Sequence, residues 1–351
     1  MTHGVGTSIA QVLLRNRAFV GALLLFTALF VGYQMLHPRG FTTAVFVQNA
    51  NESVAIAFVA MAQTIPVLMG GLDLSVGAVM TLANCIASHL VTGSPLETAF
   101  GIVVTLAGGT AFGLMNGLIV VYGRIQPIIA TLATGAIAIG LALLIRPSPG
   151  GDIDPDLNWA VTNAVFDFAE TYGFADNGNA AWLQPIANIP VPLIFLLVIG
   201  LGVWLPFKRT VTGRTIYAVG SAEGAAYMSG LPVARAKIAA FTLAGFFASC
   251  GGLYLAVQTS SGNADVTQAG AYTLNSIAAV VLGGTSLLGG IGGAIGSLIG
   301  AGILRVISFY FRILSIDPLL QPLIQGLVLL AAVSLGALRT FRVKNTLELF
   351  R

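Results

Sequence analysis

The sequence predicts an all-α polytopic membrane protein of about ten transmembrane helices, with both termini cytoplasmic. Three observations predict it. Of 351 residues, 56% are hydrophobic and only 8% charged, with a mean hydropathy of +0.90, whereas a soluble domain carries about 25% charged residues. Apolar runs of the roughly 20 residues that cross a ~30 Å hydrocarbon core recur along the chain. The basic residues also segregate by loop, as the positive-inside bias requires.

The first run, 18–36, follows Arg15 and Arg17. It lacks a small-residue cleavage site and is long for a signal peptide, so it reads as a retained first span. Residues 41–50 are too short to span and read as an interfacial lead-in to the second run, 52–69. The third, 74–92, is nearly fused to the second. Runs at 98–121 and 127–145 flank a short turn containing Arg124, and 190–207, 238–257, 271–288, 293–311 and 318–338 complete the set. With the N-terminus inside, the inner segments hold Arg15, Arg17, Arg124, Lys208, Arg209, Arg214, Arg235, Lys237, Arg339, Arg342, Lys344 and Arg351. Only Arg39, Arg146 and Arg312 fall outside, and Arg305 lies within a helix. An odd number of spans before residue 208 reverses that bias. The organisation is one transmembrane domain, 1–351 with its core at 50–340, carrying an outer segment at 146–189 and an inner one at 208–237.

The outer segment 146–189 combines Asp152, Asp154, Asp156, Asp167, Glu170 and Asp176 with Trp159, Phe166, Phe168, Tyr172, Phe174 and Trp182. It is either a solvated cap or a docking surface for an external protein, since loops beyond about 15 residues are commonly functional. Cys85 and Cys250 each sit in an apolar run and read as packing residues. The histidines His3, His37 and His89 are scattered, so nothing suggests an enzyme or a metal site. A net charge of +3 gives no reason to expect nucleic acid.

Gly109, Gly113 and Gly117 are spaced by four, as are Gly292, Gly296 and Gly300; such stripes let helix backbones approach closely. GGLDLSVGAVM at 70–80 is different. Gly70, Gly71, Asp73 and Ser75 interrupt two apolar runs, and an ionisable group near the membrane interior marks a functional point by default. Asp73 also has a structural reading as a cap for the following helix, accepting from the N–H of Ser75 or Val76. Gln63, Asn84, Asn116, Gln126, Thr131, Thr134, Asn275, Ser276 and Gln325 are further polar groups buried by this span assignment. Asn and Gln present both donors and acceptors, which suits a neutral hydroxylated solute better than an ion. Asp73 and Arg305 are nearly alone and unpaired within the spans, against an ion-coupled secondary transporter or channel.

The inner segment 208–237 is a polar island with five basic residues and one acid, Glu223. Ser221 reads as an N-cap, Glu223 as favourable first-turn charge, and Gly230 with Pro232 as a stop. The helix predicted there is a stub of roughly 8 residues, about 12 Å long. GGIGGAIG at 289–296 lacks G-x-G-x-x-G spacing, and no GxxxxGK[ST] occurs, so any ATP is bound by another chain.

These residues together resemble the inner-membrane permease subunits of ribose/xylose-type ABC sugar importers. The motifs that carry the likeness are GGLDLSVGAVMTLA at 70–83, GLMNGLIVVYGRIQPIIATLATGAIAIGLALLI at 113–145, GRTIYAVGSAEGAAYMSGLPVARAKIAAFTLAG at 213–245, and AAVVLGGTSLLGGIGGAIGSLIGA at 278–301. They cover roughly 50–340, with 146–189 least matched. The resemblance implies a bacterial inner-membrane permease in contact with lipid, working as a dimer with a second copy or a paralogue. It implies ABC ATPase subunits that bind the ATP, a periplasmic sugar-binding protein, and no cofactor of the permease itself. It also implies that the segment 221–230 is a coupling helix, with Gly220, Ser221, Glu223, Gly224, Ala225, Ala226, Ser229 and Gly230 facing the ATPase. Ser221-Ala222-Glu223 stands where Asn is common after the glycine in that family, and Leu231 where Ile is common. The substrate path is then expected along Gly70, Gly71, Asp73, Ser75, Asn84, Asn116, Gln126, Thr131 and Asn275. The alternatives are a related permease for branched-chain amino acids, urea or another small metabolite, or a stand-alone secondary transporter.

Overall fold

The structure is a computed structural model that describes residues 17–174 and 183–317, with isolated positions between 320 and 334. The tenth predicted span, 318–338, lies largely outside the described residues. So do Arg15, Arg339, Arg342, Lys344, Arg351, Gln325, Asp176, Trp182 and His3.

Twelve helices follow in order among the described residues. They are α1 (Arg17–Leu36), α2 (Thr43–Leu68), α3 (Val76–Leu90), α4 (Pro95–Tyr122), α5 (Pro127–Ile145), α6 (Pro155–Thr162), α7 (Val165–Thr171), α8 (Val191–Arg209), α9 (Val211–Met228), α10 (Val233–Thr259), α11 (Val266–Leu282) and α12 (Ala294–Ile313). Seven of them are long and apolar enough to cross a membrane: α1, α2, α4, α5, α8, α10 and α12. The runs at 74–92 and 271–288 appear as the shorter apolar helices α3 and α11. α8 passes through one π-helical stretch, Leu196–Leu201, and carries Pro206.

The expected lead-in at 41–50 is instead the first part of α2. Thr42 caps that helix by accepting from Val45 N–H at 3.4 Å, and nothing interrupts it before Pro66. Three polar residues at 49–52 are engaged in tertiary contacts. Asn49 accepts from the Tyr33 hydroxyl, Asn51 donates to Thr162 O and accepts from the Tyr254 hydroxyl, and Glu52 pairs with Arg305 and Arg312.

The 27-residue α10 runs through the centre and packs on α2, α3 and α4. Its contact with α4 is backbone against backbone, because Gly109, Gly113 and Gly117 lie against Gly245, Ser249, Phe241 and Ile238. A side chain at any of these glycines would collide with the neighbouring helix. The second stripe survives in part. Gly296 and Gly300 seat α12 on Ala279 of α11 and on Gly283 just past its end, but Gly292 sits in the preceding loop with φ +124°. Cys85 and Cys250 are buried free thiols of the core.

The loops gather at two ends. At one, Gly150 pairs with Gly262, the Asp154 N–H reaches Val91 O, Arg146 donates to Ser88 O, and Glu52 meets Arg312. At the other, Gly290 N–H donates to Leu68 O, Gly71 abuts Pro127, and the Tyr217 hydroxyl donates to Gly292 O. The first end carries α6 and α7. Ile153, Leu157 and Val161 pack there on Ala87, Val91, Leu253 and Val257, covering the tips of α3 and α10. Trp159, Phe166, Tyr172 and Phe174 stay exposed.

Candidate functional site

The break between α2 and α3 is closed by its own polar groups. Asp73 is 2% exposed, and its Oδ1 accepts from Ser75 N–H at 2.8 Å and from Ser75 Oγ–H at 2.6 Å. Ser75 Oγ in turn accepts from Asn116 Nδ2 of α4 at 2.8 Å. The Leu74 N–H donates to Thr131 Oγ1 of α5 at 2.9 Å. The Gln63 amide, oriented to match its surroundings, donates to Asp73 O at 2.8 Å and accepts from Asp73 N–H at 3.3 Å. Of the two expected donors to Asp73, Ser75 supplies the bond, and four helices are tied together around one carboxylate. Gly70 takes φ +77°, which only glycine adopts without strain, and lies over Leu288 O. The space among Asp73, Ser75, Asn116 and Gly245 holds no room for a water.

The other predicted path residues do not join this cluster. Asn84 accepts from Asn263 N–H at 2.8 Å and donates to Ser261 O at 3.2 Å, tying α3 to the loop before α11 at the opposite end. Gln126 is exposed, contrary to its expected burial, because the chain has already left the bundle at the N-cap of α5.

Asn275 stands on α11 beside a recess of about 180 Å³, which has Glu52 and Ile56 of α2 and Leu304, Arg305 and Ser308 of α12 on its other walls. Its polar centre is Glu52, which meets Arg305 at 2.8 Å and Arg312 at 2.6 and 2.9 Å. Arg305 is therefore paired, contrary to the sequence reading. The partner is 253 residues away, too remote for spacing to reveal. Sequence reasoning also missed Gln268 and Tyr272. The signal was present, since Gln268, Ala271, Tyr272 and Asn275 follow the i, i+3, i+4, i+7 pattern of one helix face.

The polar island differs in form from the expected stub. α9 begins at Val211, where Thr210 accepts from Gly213 N–H at 3.0 Å, and it kinks at Ala222 (φ −164°, ψ 96°). Ser221 is not a cap. Its hydroxyl donates back to Tyr217 O at 2.9 Å, and the extended residue before the final turns is Ala222. Glu223 opens those turns and pairs with Lys237 at 2.6 Å. Ala226 is buried, while Gly224 and Ala225 face open surroundings. Ser229 donates to Ala225 O at 2.8 Å, and Gly230 at φ +75° ends the segment as expected. The tip presents Tyr227 and Met228, 71% and 85% exposed, which the sequence reading did not single out.

Gly220 belongs to a junction rather than to a free surface. A Cβ there would collide with Leu68 O and Gly290 N, and a Cβ on Gly290 would meet Ser221. Tyr217 braces the same loop through Gly292 O at 3.0 Å, and burial pushes its hydroxyl pKa up to about 12, so it remains a donor at physiological pH. Three loops thus meet without slack: the 68–75 break, the base of the tip, and the 284–293 loop.

The family model described as branched-chain amino acid transport system / permease component matches residues 45–333. The ribose import permease protein of Haemophilus influenzae is 32% identical over 93% of this chain and 94% of its own length. That of Bacillus subtilis is 32% identical over 86% and 87%. The D-allose transport system permease protein of Escherichia coli is 30% identical over 84% and 83%. No solved structure matches the chain.

Proposed function

From the premise that the chain belongs to the permease-component family just described, and is a multi-pass inner-membrane protein, we propose that it is the membrane-spanning subunit of an ATP-driven, binding-protein-dependent importer of a monosaccharide. Relatives named for ribose and D-allose across most of their length favour a sugar over a branched-chain amino acid. The permease is not itself an enzyme and carries no cofactor. ATP is bound and hydrolysed by ABC ATPase subunits beneath the 208–237 segment, which places that segment and both termini in the cytoplasm. A periplasmic sugar-binding protein delivers its cargo at the end built from α6 and α7, and a second copy or a paralogue completes the dimer.

The observation that carries the mechanism is the junction at Gly220. An ATPase that closes on Tyr227 and Met228 pushes the base of the tip, and Gly220 has no clearance against Leu68 O. Close-packed contacts transmit displacement rather than absorb it. The push therefore reaches the 68–75 break, which Asn116 and Thr131 bind to α4 and α5. Those helices shift as one block, and the path at the dimer interface changes the side it faces. In this reading Gly70, Gly71, Asp73, Ser75, Asn116 and Thr131 form a gate frame.

The test is reconstitution. Vesicles holding the permease with its ATPase and binding protein accumulate tritiated D-ribose or D-allose with ATP and not with a non-hydrolysable analogue. Uptake by the permease alone would sink the proposal, and uptake of leucine but no sugar would move the substrate to amino acids.

A further inference from the structure

The sugar path needs a place where the solute is held between delivery and release, and the Asp73 cluster encloses no space for one. The open space lies toward the other end, between α2, α11 and α12. Its volume of about 180 Å³ is roughly six times a water's ~30 Å³ share of the liquid, on the scale of one small polyol. Resting on the reading of this chain as a monosaccharide permease, we propose that this recess is the transient sugar site, formed by Glu52, Gln268, Tyr272, Asn275, Arg305 and Ser308.

The chemistry of the walls points to a neutral hydroxylated ligand. Glu52 is already engaged by two guanidinium groups and by the Gln48 amide at 3.2 Å, so it is not free to receive an ammonium group. The remaining polar wall groups are two amides and two hydroxyls, which both donate and accept, as sugar hydroxyls do. Tyr272 adds an aromatic side chain to the wall, a residue type that packs on the C–H side of a pyranose or furanose. Gln268 and Asn275 are seven residues apart on one face of α11, about 10 Å at 1.5 Å per residue. Counted from the start of α11, the recess therefore runs from the helix end toward the middle of the bundle.

Thiol protection tests the site directly, because the native thiols Cys85 and Cys250 are buried and give little background. Asn275→Cys and Gln268→Cys are made in the full transporter, with Thr267→Cys as a control on the exposed part of the same helix, outside the recess. The labelling rate with a water-soluble maleimide is followed while the binding protein, loaded with tritiated D-ribose or D-allose, turns over with ATP. The expected result is at least fivefold slower labelling at 275 and 268 with sugar than with empty binding protein, and no change at 267. Equal labelling with and without sugar, or equal slowing at all three positions, overturns the site. The wild-type complex is assayed for uptake in parallel. Its failure to import sugar counts against the functional reading itself, whereas normal import without protection counts against the recess alone. Either Cys variant suffices if the other does not fold.

Discussion

The two ends of the bundle hold two polar clusters of opposite construction. Around Asp73, every predicted group of the 70–75 break points at another: carboxylate to Ser75, Ser75 to Asn116, Leu74 to Thr131, Gln63 to the Asp73 peptide. Around Glu52, an ion pair with two arginines borders open space of about 180 Å³. The first has the more conspicuous sequence and no room for a solute. The second has scattered residues and the room. Direct bonds between buried polar groups fix geometry, whereas polar walls around open space leave room for a ligand.

Substitutions sharpen this contrast when ranked by their expected effect on stability. Asp73→Leu strands the Ser75 donors, so detergent-solubilised permease should lose about 3 kcal/mol or more in equilibrium unfolding, given ~1.5–3 kcal/mol per hydrogen bond to a charged group. Asp73→Asn keeps an acceptor for Ser75 and should retain most of the stability and uptake. Uptake abolished in a stable Asp73→Asn protein would show that the carboxylate does more than brace the 70–75 break. Gly220→Val overpacks the junction and should cost about 1–3 kcal/mol, with ATPase activity no longer matched by sugar uptake in vesicles.

At the other end, Glu52→Gln removes the charge of a largely buried ion-pair partner but keeps an acceptor for the arginines, so thermal unfolding should register about 1–2 kcal/mol. Uptake should nevertheless fall at least tenfold; unchanged uptake would make the cluster a simple brace. The smallest effect on folding belongs to Gly224→Glu and to the pair Tyr227→Ser with Met228→Ser. These positions are exposed, so stability should stay within about 0.5 kcal/mol. Association with the ATPase, read by pull-down of the reconstituted subunits, should nonetheless be lost. Survival of both association and uptake would reduce the tip to a solvated turn.

Much of the fold was legible because its determinants are local. Apolar run length located the helices, and the four-residue glycine spacing marked the α4–α10 face. Gly230 ended the 221–230 segment where the sequence placed its stop, and Asp73 bonded to Ser75 as its spacing allowed. What failed was non-local. Residues 41–50 were expected as an interfacial lead-in because the segment is too short to span, yet they run into α2, where Asn49, Asn51 and Glu52 each find a partner at least 16 positions away. Ser221 had the composition of a cap but turned its hydroxyl back to Tyr217. Gln126 was expected to be buried and is exposed at the N-cap of α5.

The sequence by itself determined that the chain is a bundle of membrane-length helices and which segments resemble a permease, because hydrophobic length and backbone-breaking residues act within a few positions. Only the tertiary structure decided which polar groups neutralise one another and which border a cavity. Those facts depend on helices more than 200 residues apart in sequence, such as the pairing of Glu52 with Arg305. The helix periods say which face a residue takes, but not what stands opposite it.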